Sequence, residues 1–395
     1  MNMLDYLAWR GDLTFAQSEF NEVDNLILCY LVYVNLDGAA PGIGENTMTV
    51  RDLSERFFEQ HTEKELKKDK SFIRLAPKVL KAMASTERFG NLLVQNYVNK
   101  IDLEKMLQFA AMEILLGDGT TFIAYRGTDD TIVGWKEDFY LSKGEVPAEK
   151  EAVAYLNTAG AEKKELDVPE FVEAACAVRA AERAAEAVKK IRIGGHSKGG
   201  NLAVYAAACC EEAVQDRILE IYNNDGPGFK MEFFEKPGYQ RISNRIKRYI
   251  PESSIIGMLL EHVAEPAVIR SDQKGVMQHD GLSWEVVGPS FIYCPVISNF
   301  AAGMDRSIKG WLAQVEGEQR QQVIDDLFAV LEATQAATLT ELQDGGLKNI
   351  RIIMKEIEEM DSDSKGVLQS LLKEMMSNIP QMLGITELLN PTRKK

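Results

Sequence analysis

Gly195-His196-Ser197-Lys198-Gly199 has the G-x-S-x-G spacing that puts a serine at the tip of a sharp strand-to-helix turn. The turn needs the flanking glycines, because a side chain at either one collides with the neighbouring strand or helix. The flanks agree with this reading. Ile191 and Ile193 are β-branched, as a strand prefers, and Leu202, Ala203, Ala206, Ala207 and Ala208 are helix formers small enough to pack close on a sheet. A glycine-rich connection with an ordinary surface serine is the alternative, and the strand–turn–helix context speaks against it. The chemistry implied is nucleophilic attack by Ser197 on a carbonyl carbon.

A serine is a poor nucleophile near neutral pH and needs a base. The chain has four histidines: His61, His196, His262 and His279. His61 lies in a polar N-terminal stretch, and His262 follows the apolar Leu259-Leu260. His196 adjoins the serine and points elsewhere from the turn, as a structural or wall residue. His279, late in the chain within Gln278-His279-Asp280-Gly281-Leu282-Ser283-Trp284, best fits the order serine, acid, histidine. The acid belongs between Ser197 and His279 at a strand end. Asp225, which also begins an Asp-Gly-Pro-Gly turn, is preferred, with Glu252 as the alternative acid. Asp280 is too close in sequence to face His279. An oxyanion hole needs two fixed donors; the backbone N–H of Lys198 and the Thr128 of Arg126-Gly127-Thr128-Asp129 are the candidates. Ile255 to Leu260 and Ser290 to Ile297 are apolar enough to line an acyl pocket or to be plain core.

Positioning these groups requires strands ending at one edge. Met112 to Leu116 and Thr121 to Tyr125, around Gly117-Asp118-Gly119-Thr120, predict a β-hairpin. Val146 to Lys190 reads as helical and forms the crossover into the Ile191 strand. Leu219 to Asn224 and Ile246 to Ile250 read as the next strands, and Ser283 to Val287 as the last. Residues 1 to about 110 read as largely helical, including Phe20 to Leu31, Leu75 to Met83 and Phe89 to Val98, with Glu63 to Lys70 a solvated charged run. Trp311 to Met376 has helical periodicity broken at Gly345-Gly346 and Ser362-Asp363-Ser364. The expected division is a helical N-terminal part over 1–105, a core over 106–303 and a helical extension over 304–395.

The 395 residues, 45% hydrophobic and 27% charged, allow a large core. A net charge of −15 disfavours nucleic acid and anionic membranes as partners. Cys29, Cys176, Cys209, Cys210 and Cys294 are odd in number and follow neither a zinc nor a disulfide spacing. With no secretory-type leader and no transmembrane-length apolar run, the expectation is a cytoplasmic protein.

Phe122-Ile123-Ala124-Tyr125-Arg126-Gly127-Thr128, followed by Gly134-Trp135-Lys136-Glu137-Asp138, resembles the class 3 (fungal-type) lipase pattern of a strand entering an R-G-T loop. Gly195-His196-Ser197-Lys198-Gly199-Gly200 resembles that family's G-H-S-L-G-G elbow, and His279 with Trp284 its late histidine segment. The set is most similar to a bacterial lipase-like branch of undefined function, over roughly residues 110 to 290. The resemblance implies an α/β-hydrolase, a mostly parallel sheet flanked by helices, with helical N-terminal and C-terminal additions. It implies Ser197 as nucleophile, His279 as base and Thr128 as oxyanion donor. Two departures stand out: Lys198 replaces leucine, placing a long cation beside the site, and Glu252-Ser253-Ser254 occupies the stretch where the family carries its aspartate. The reaction expected is hydrolysis of lipid or small carboxylic esters through an acyl-enzyme, with no metal or cofactor. A reading of another class is a scaffold on a retained hydrolase fold that uses its acidic helical tail as an interaction surface.

Overall fold

The structure is a computed structural model. It describes residues 1–66, 72–102, 107–128, 146–160, 190–299, 301–303, 317–336, 341, 345–360, 364–366 and 368–370. The Gly134 to Asp138 segment, Cys176 and part of the Val146 to Lys190 and Trp311 to Met376 stretches lie outside these residues.

Helices α1 (Met3–Arg10) and α2 (Glu22–Leu31) each start at an asparagine that caps two backbone N–H groups, Asn2 and Asn21, while Asp5 and Asp24 return the bond in a capping box. Helix α2 is buried on every side from Val23 to Leu31, as its near-continuous apolar sequence requires. The short strand β1 (Met48–Thr49) leads into α3 (Val50–Gln60), followed by α4 (Ala76–Ala84). The chain then departs from the sequence expectation. Phe89 to Val98 is not helical: a single turn over Glu87–Gly90 gives way to strand β2 (Leu93–Asp102), antiparallel to β3 (Leu107–Leu115). The register shifts between Gln95 and Val98, and Asn96 has φ 53°. The extra residue of this bulge interrupts the two-residue period, so the buried Val94 and Tyr97 fall at a helix-like spacing of three.

The hairpin predicted around Gly117-Asp118-Gly119 is present as β3 and β4 (Thr121–Tyr125). Helix α5 (Pro147–Gly160) follows, then β5 (Ile191–His196), α6 (Lys198–Cys209), β6 (Ile218–Asn224), β7 (Ile246–Pro251) and β8 (Pro266–Ile269). The eight strands lie side by side in chain order, antiparallel from β1 to β4 and parallel from β4 to β8. Strand β8 escaped the sequence reading; it is short and opens on a proline, which a sheet tolerates at a strand's first residue. Ser283 to Val287 does not close this sheet. Val286–Val287 forms β9 there, which pairs with β10 (Ser290–Phe291) in a separate hairpin, while Trp284 makes one isolated bridge to Ser271.

Parallel strands in sequential order, joined by right-handed crossovers, put their connecting helices on one face and leave the other bare. The N-terminal helices cover that second face. Phe122 and Ala124 of β4 join Leu26, Tyr30, Leu80 and Tyr222 in one core cluster. The alternate residues Ile123 and Tyr125 join Leu156 of α5 and Leu202, Ala203 and Ala206 of α6 in the other. Helices on both faces of a sheet that is parallel from β4 onwards, with a strand–serine–helix turn near its middle, make this an α/β-hydrolase fold. Beyond it, α7 (Gly317–Glu332) and α8 (Gly346–Glu359) pack together through Val323, Val330 and Ile357.

Candidate active site

The carboxyl ends of β4, β5, β6 and β7 lie at one edge of the sheet, where open α/β sheets gather ligand groups. Ser197 stands between the end of β5 and the first residue of α6 with φ 58° and ψ −135°. A non-glycine residue adopts this conformation only when its surroundings enforce it. They do: Ser197 N–H donates to the Asn224 carbonyl at 2.9 Å, and Gly200 N–H donates to the Ser197 carbonyl at 2.9 Å. A Cβ on Gly199 would strike the Tyr125 carbonyl, so only glycine lets α6 start this close to β4.

Asp225 directly follows β6, also at positive φ (53°), and is fully buried. Its Oδ2 lies 2.6 Å from Nδ1 of His279, and its Oδ1 accepts a hydrogen bond from the Ser254 hydroxyl at 2.5 Å. Because the carboxylate only accepts, Nδ1 carries the proton in neutral His279, leaving Nε2 as its basic nitrogen. Glu252, the alternative acid, is not brought to this histidine: its Oε2 lies 3.7 Å from Sγ of Cys294. Asp280 is also turned away, accepting from the Tyr30 hydroxyl at 2.7 Å and from the Leu282 N–H. His61 stacks on Phe57, and Nε2 of His262 approaches Gly228.

The segment carrying His279 is held at several points. Trp284 Nε1 donates to the Gln278 carbonyl at 2.9 Å, Ser253 N–H to Gln278 Oε1 at 2.7 Å, and Nε2 of His196 to the His279 carbonyl at 2.7 Å. The rings of His196 and His279 are 4.7 Å apart, so His279 lies beside the residue preceding Ser197. His196 is completely buried; burial, reinforced by His279, pushes its pKa well below the ordinary histidine value and keeps it neutral.

The Arg126-Gly127-Thr128 loop leaves β4 directly against the serine: a Cβ built on Gly127 would lie 3.1 Å from Cβ of Ser197. Thr128 and Lys198 are both buried, and Lys198 is the first residue of α6, where backbone N–H groups have no carbonyl within the helix to bond. Of the two apolar stretches, Phe291 is packed into the core against Trp284 and Tyr249, whereas Gly257 lies against the Asp225 carboxylate.

Three contacts at this edge had no sequence signal. Asn25 of α2 forms a reciprocal amide pair with Asn224, whose Nδ2 also donates to the Gly195 carbonyl. Tyr30 reaches Asp280, and the Tyr33 hydroxyl lies 3.0 Å from Nδ1 of His196. Ser254 is not among the residues the sequence singles out; its place three residues after the β7 strand end is the available clue.

The family model described as Mbeg1-like matches residues 83–329, more than half of the chain and all of the site residues named above from Thr128 to His279. The chain belongs to the Mbeg1-like family. This is a lipase-like family, in line with the motifs that resemble class 3 lipases. Among solved structures, this Mbeg1-like chain is similar to the crystal structure of M37 lipase, with 18% identity over 59% of this chain and 68% of that one, at a TM-score of 0.34. No curated protein matches it. Among the described residues of this Mbeg1-like protein, no helix is long and apolar enough to cross a membrane.

Proposed function

We propose that this protein is a serine hydrolase that cleaves carboxylic esters, of lipids or small acyl compounds, through a Ser197–His279–Asp225 triad and an acyl-enzyme. The observation that carries the reading is the 2.6 Å contact between Asp225 and Nδ1 of His279, beside a serine held in a strained strand-to-helix turn. In the proposed reaction, Ser197 Oγ attacks the ester carbonyl as His279 Nε2 takes its proton. The Lys198 N–H and Thr128 hold the oxyanion. His279 then returns the proton to the departing alkoxide, leaving an acyl-serine. Water, deprotonated by His279, attacks the acyl carbon; the carboxylic acid leaves and Ser197 regains its proton.

The test is labelling with a fluorophosphonate, comparing wild type with Ser197→Ala and His279→Ala. Ser197 is 2% exposed, so the labelling is run with and without detergent. Wild type is expected to label, Ser197→Ala not at all, and His279→Ala about 10³–10⁴-fold more slowly. Folded wild type that fails to label under both conditions would overturn the hydrolase reading in favour of a scaffold.

A further inference from the structure

The proposed mechanism uses His279 but leaves unexplained a second, fully buried histidine next to the nucleophile. His196 makes polar contacts at both ring nitrogens. Nε2 lies 2.7 Å from the His279 carbonyl, which can only accept, so Nε2 carries a proton. In the neutral ring Nδ1 is then an acceptor, and the Tyr33 hydroxyl lies 3.0 Å from it. The same hydroxyl lies 3.1 Å from the His196 carbonyl; its single proton goes to one of these two acceptors at a time, and either bond holds His196 to Tyr33. Tyr30, Tyr33, Trp284 and His279 surround the ring with centroids between 4.7 and 6.2 Å away, leaving it no room to turn.

We propose that His196 is a positioning residue for His279, and that the N-terminal region holds it through Tyr33. A base displaced by about 1 Å from its line to the serine loses most of its effect, because proton transfer needs hydrogen-bond geometry. Asp225 fixes the His279 ring at one nitrogen, but a ring on a displaced backbone still misses. His196 Nε2 fixes that backbone from β5, the strand that carries Ser197, so base and nucleophile share one frame. Tyr30 of α2, three residues before Tyr33, secures the following residue, Asp280, through its carboxylate. The N-terminal helices thus do more than cover a sheet face: they set the geometry between two residues 82 apart in sequence (279 − 197) that both lie far beyond them in the chain.

This inference rests on the hydrolase reading for its effect on rate, and the test separates the two. His196→Asn keeps a polar atom near Nδ1 for Tyr33 but is too short to reach the His279 carbonyl. His196→Gln places an amide N–H near the position of Nε2. The expected result is fluorophosphonate acylation slowed about 10–100-fold in His196→Asn and restored to within a few-fold of wild type in His196→Gln. In parallel, the proton shared by His279 Nδ1 and Asp225 is followed by proton NMR, assigned by its loss in Asp225→Asn. It is expected to shift and broaden in His196→Asn and to return in His196→Gln. Tyr33→Phe, which keeps the ring, is expected to slow acylation by a smaller factor. Wild-type acylation and an unchanged NMR signal in both His196 variants would overturn the proposal. So would equal losses in Asn and Gln, which would mark a packing role. If wild type does not acylate at all, the hydrolase reading fails, and the NMR comparison still decides whether His196 positions His279.

Discussion

Asp225 Oδ2 and His279 Nδ1 meet at 2.6 Å across 54 residues of sequence, both buried, with Ser254 closing the other carboxylate oxygen. In the proposed reaction, an aspartate so placed fixes the tautomer of the histidine and stabilises the imidazolium that would form when the serine gives up its proton. Asp225→Asn is isosteric and leaves the amide able to donate towards Nδ1, which would move the histidine proton to Nε2. Acylation by a fluorophosphonate is expected to fall by about 10⁴-fold, the scale known for this change in serine proteases. Glu252→Gln, whose carboxylate faces Cys294, is expected to stay within a few-fold of wild type. Equal losses in the two variants would reopen the choice between Asp225 and Glu252, the two strand-end acids that the sequence offers.

Gly127 makes a second prediction. Its Cβ position is occupied by the Tyr33 hydroxyl and the His196 carbonyl and lies 3.1 Å from Ser197 Cβ. Gly127→Ala must therefore push the Arg126-Gly127-Thr128 loop away from the serine or displace Tyr33. A stability loss of about 1–3 kcal/mol is the usual cost of such overpacking. Acylation should fall by more than that loss explains, since Thr128 moves with the loop. Thermal melts and labelling rates on the same preparation separate the two effects.

How much of this was legible in the sequence depended on distance along the chain. The elbow is a local pattern, read from five consecutive residues and the Ile191 and Leu202 flanks. The β3–β4 hairpin is local too, set by its Gly-Asp-Gly turn. Strand β2 was misread because its bulge at Asn96 breaks the alternation on which the reading depends. The links to the site from α2 and the turn after it span far more chain: Asn25 to Asn224 is 199 residues, Tyr30 to Asp280 is 250 and Tyr33 to His196 is 163. No periodicity encodes such pairs. They arise because the crossovers leave one sheet face bare and a buried, largely apolar α2 must fill it, carrying its few polar groups to the strand ends.

The buried pair Asp24–Arg88 yields a prediction about the same N-terminal layer. Both side chains are fully buried and meet at 2.5 Å. Arg88 also donates to the carbonyls of Leu13, Ser18 and Glu19, at 2.9–3.0 Å, tying the loop before α2 to α2 itself. Asp24→Asn leaves the guanidinium charge buried without its counterion and is expected to cost about 3–5 kcal/mol in a denaturant titration. Replacing both partners by apolar residues often restores the stability of a simple ion pair. Here it should not, because the three carbonyls would lose their donor. A double variant Asp24→Leu with Arg88→Met as stable as wild type would show that the carbonyl bonds contribute little.

His196 also makes stability depend on pH with a definite sign. Burial, followed by the neighbouring His279, lowers its pKa in the folded protein well below the 6.5 it has when unfolded. Below pH 6.5 the unfolded chain therefore takes up a proton that the native ring refuses, so folding stability is lost as pH falls through that value. The loss approaches about 1.4 kcal/mol per pH unit while the native ring stays neutral. Asp280 acts in the opposite sense: burial raises its folded pKa above 3.8, so its penalty is relieved as pH falls. A wild-type curve mixes the two, and Tyr30, Tyr33 and His279 face the same ring. The informative quantity is the difference between wild type and His196→Asn, which has no imidazole to protonate. Urea midpoints measured at about pH 8 and about pH 5.5 should fall more steeply for wild type than for the variant. Parallel slopes would mean that the native protein takes the proton as readily as the unfolded chain, with Nδ1 donating to Tyr33 and the Tyr33 hydroxyl turned to the His196 carbonyl.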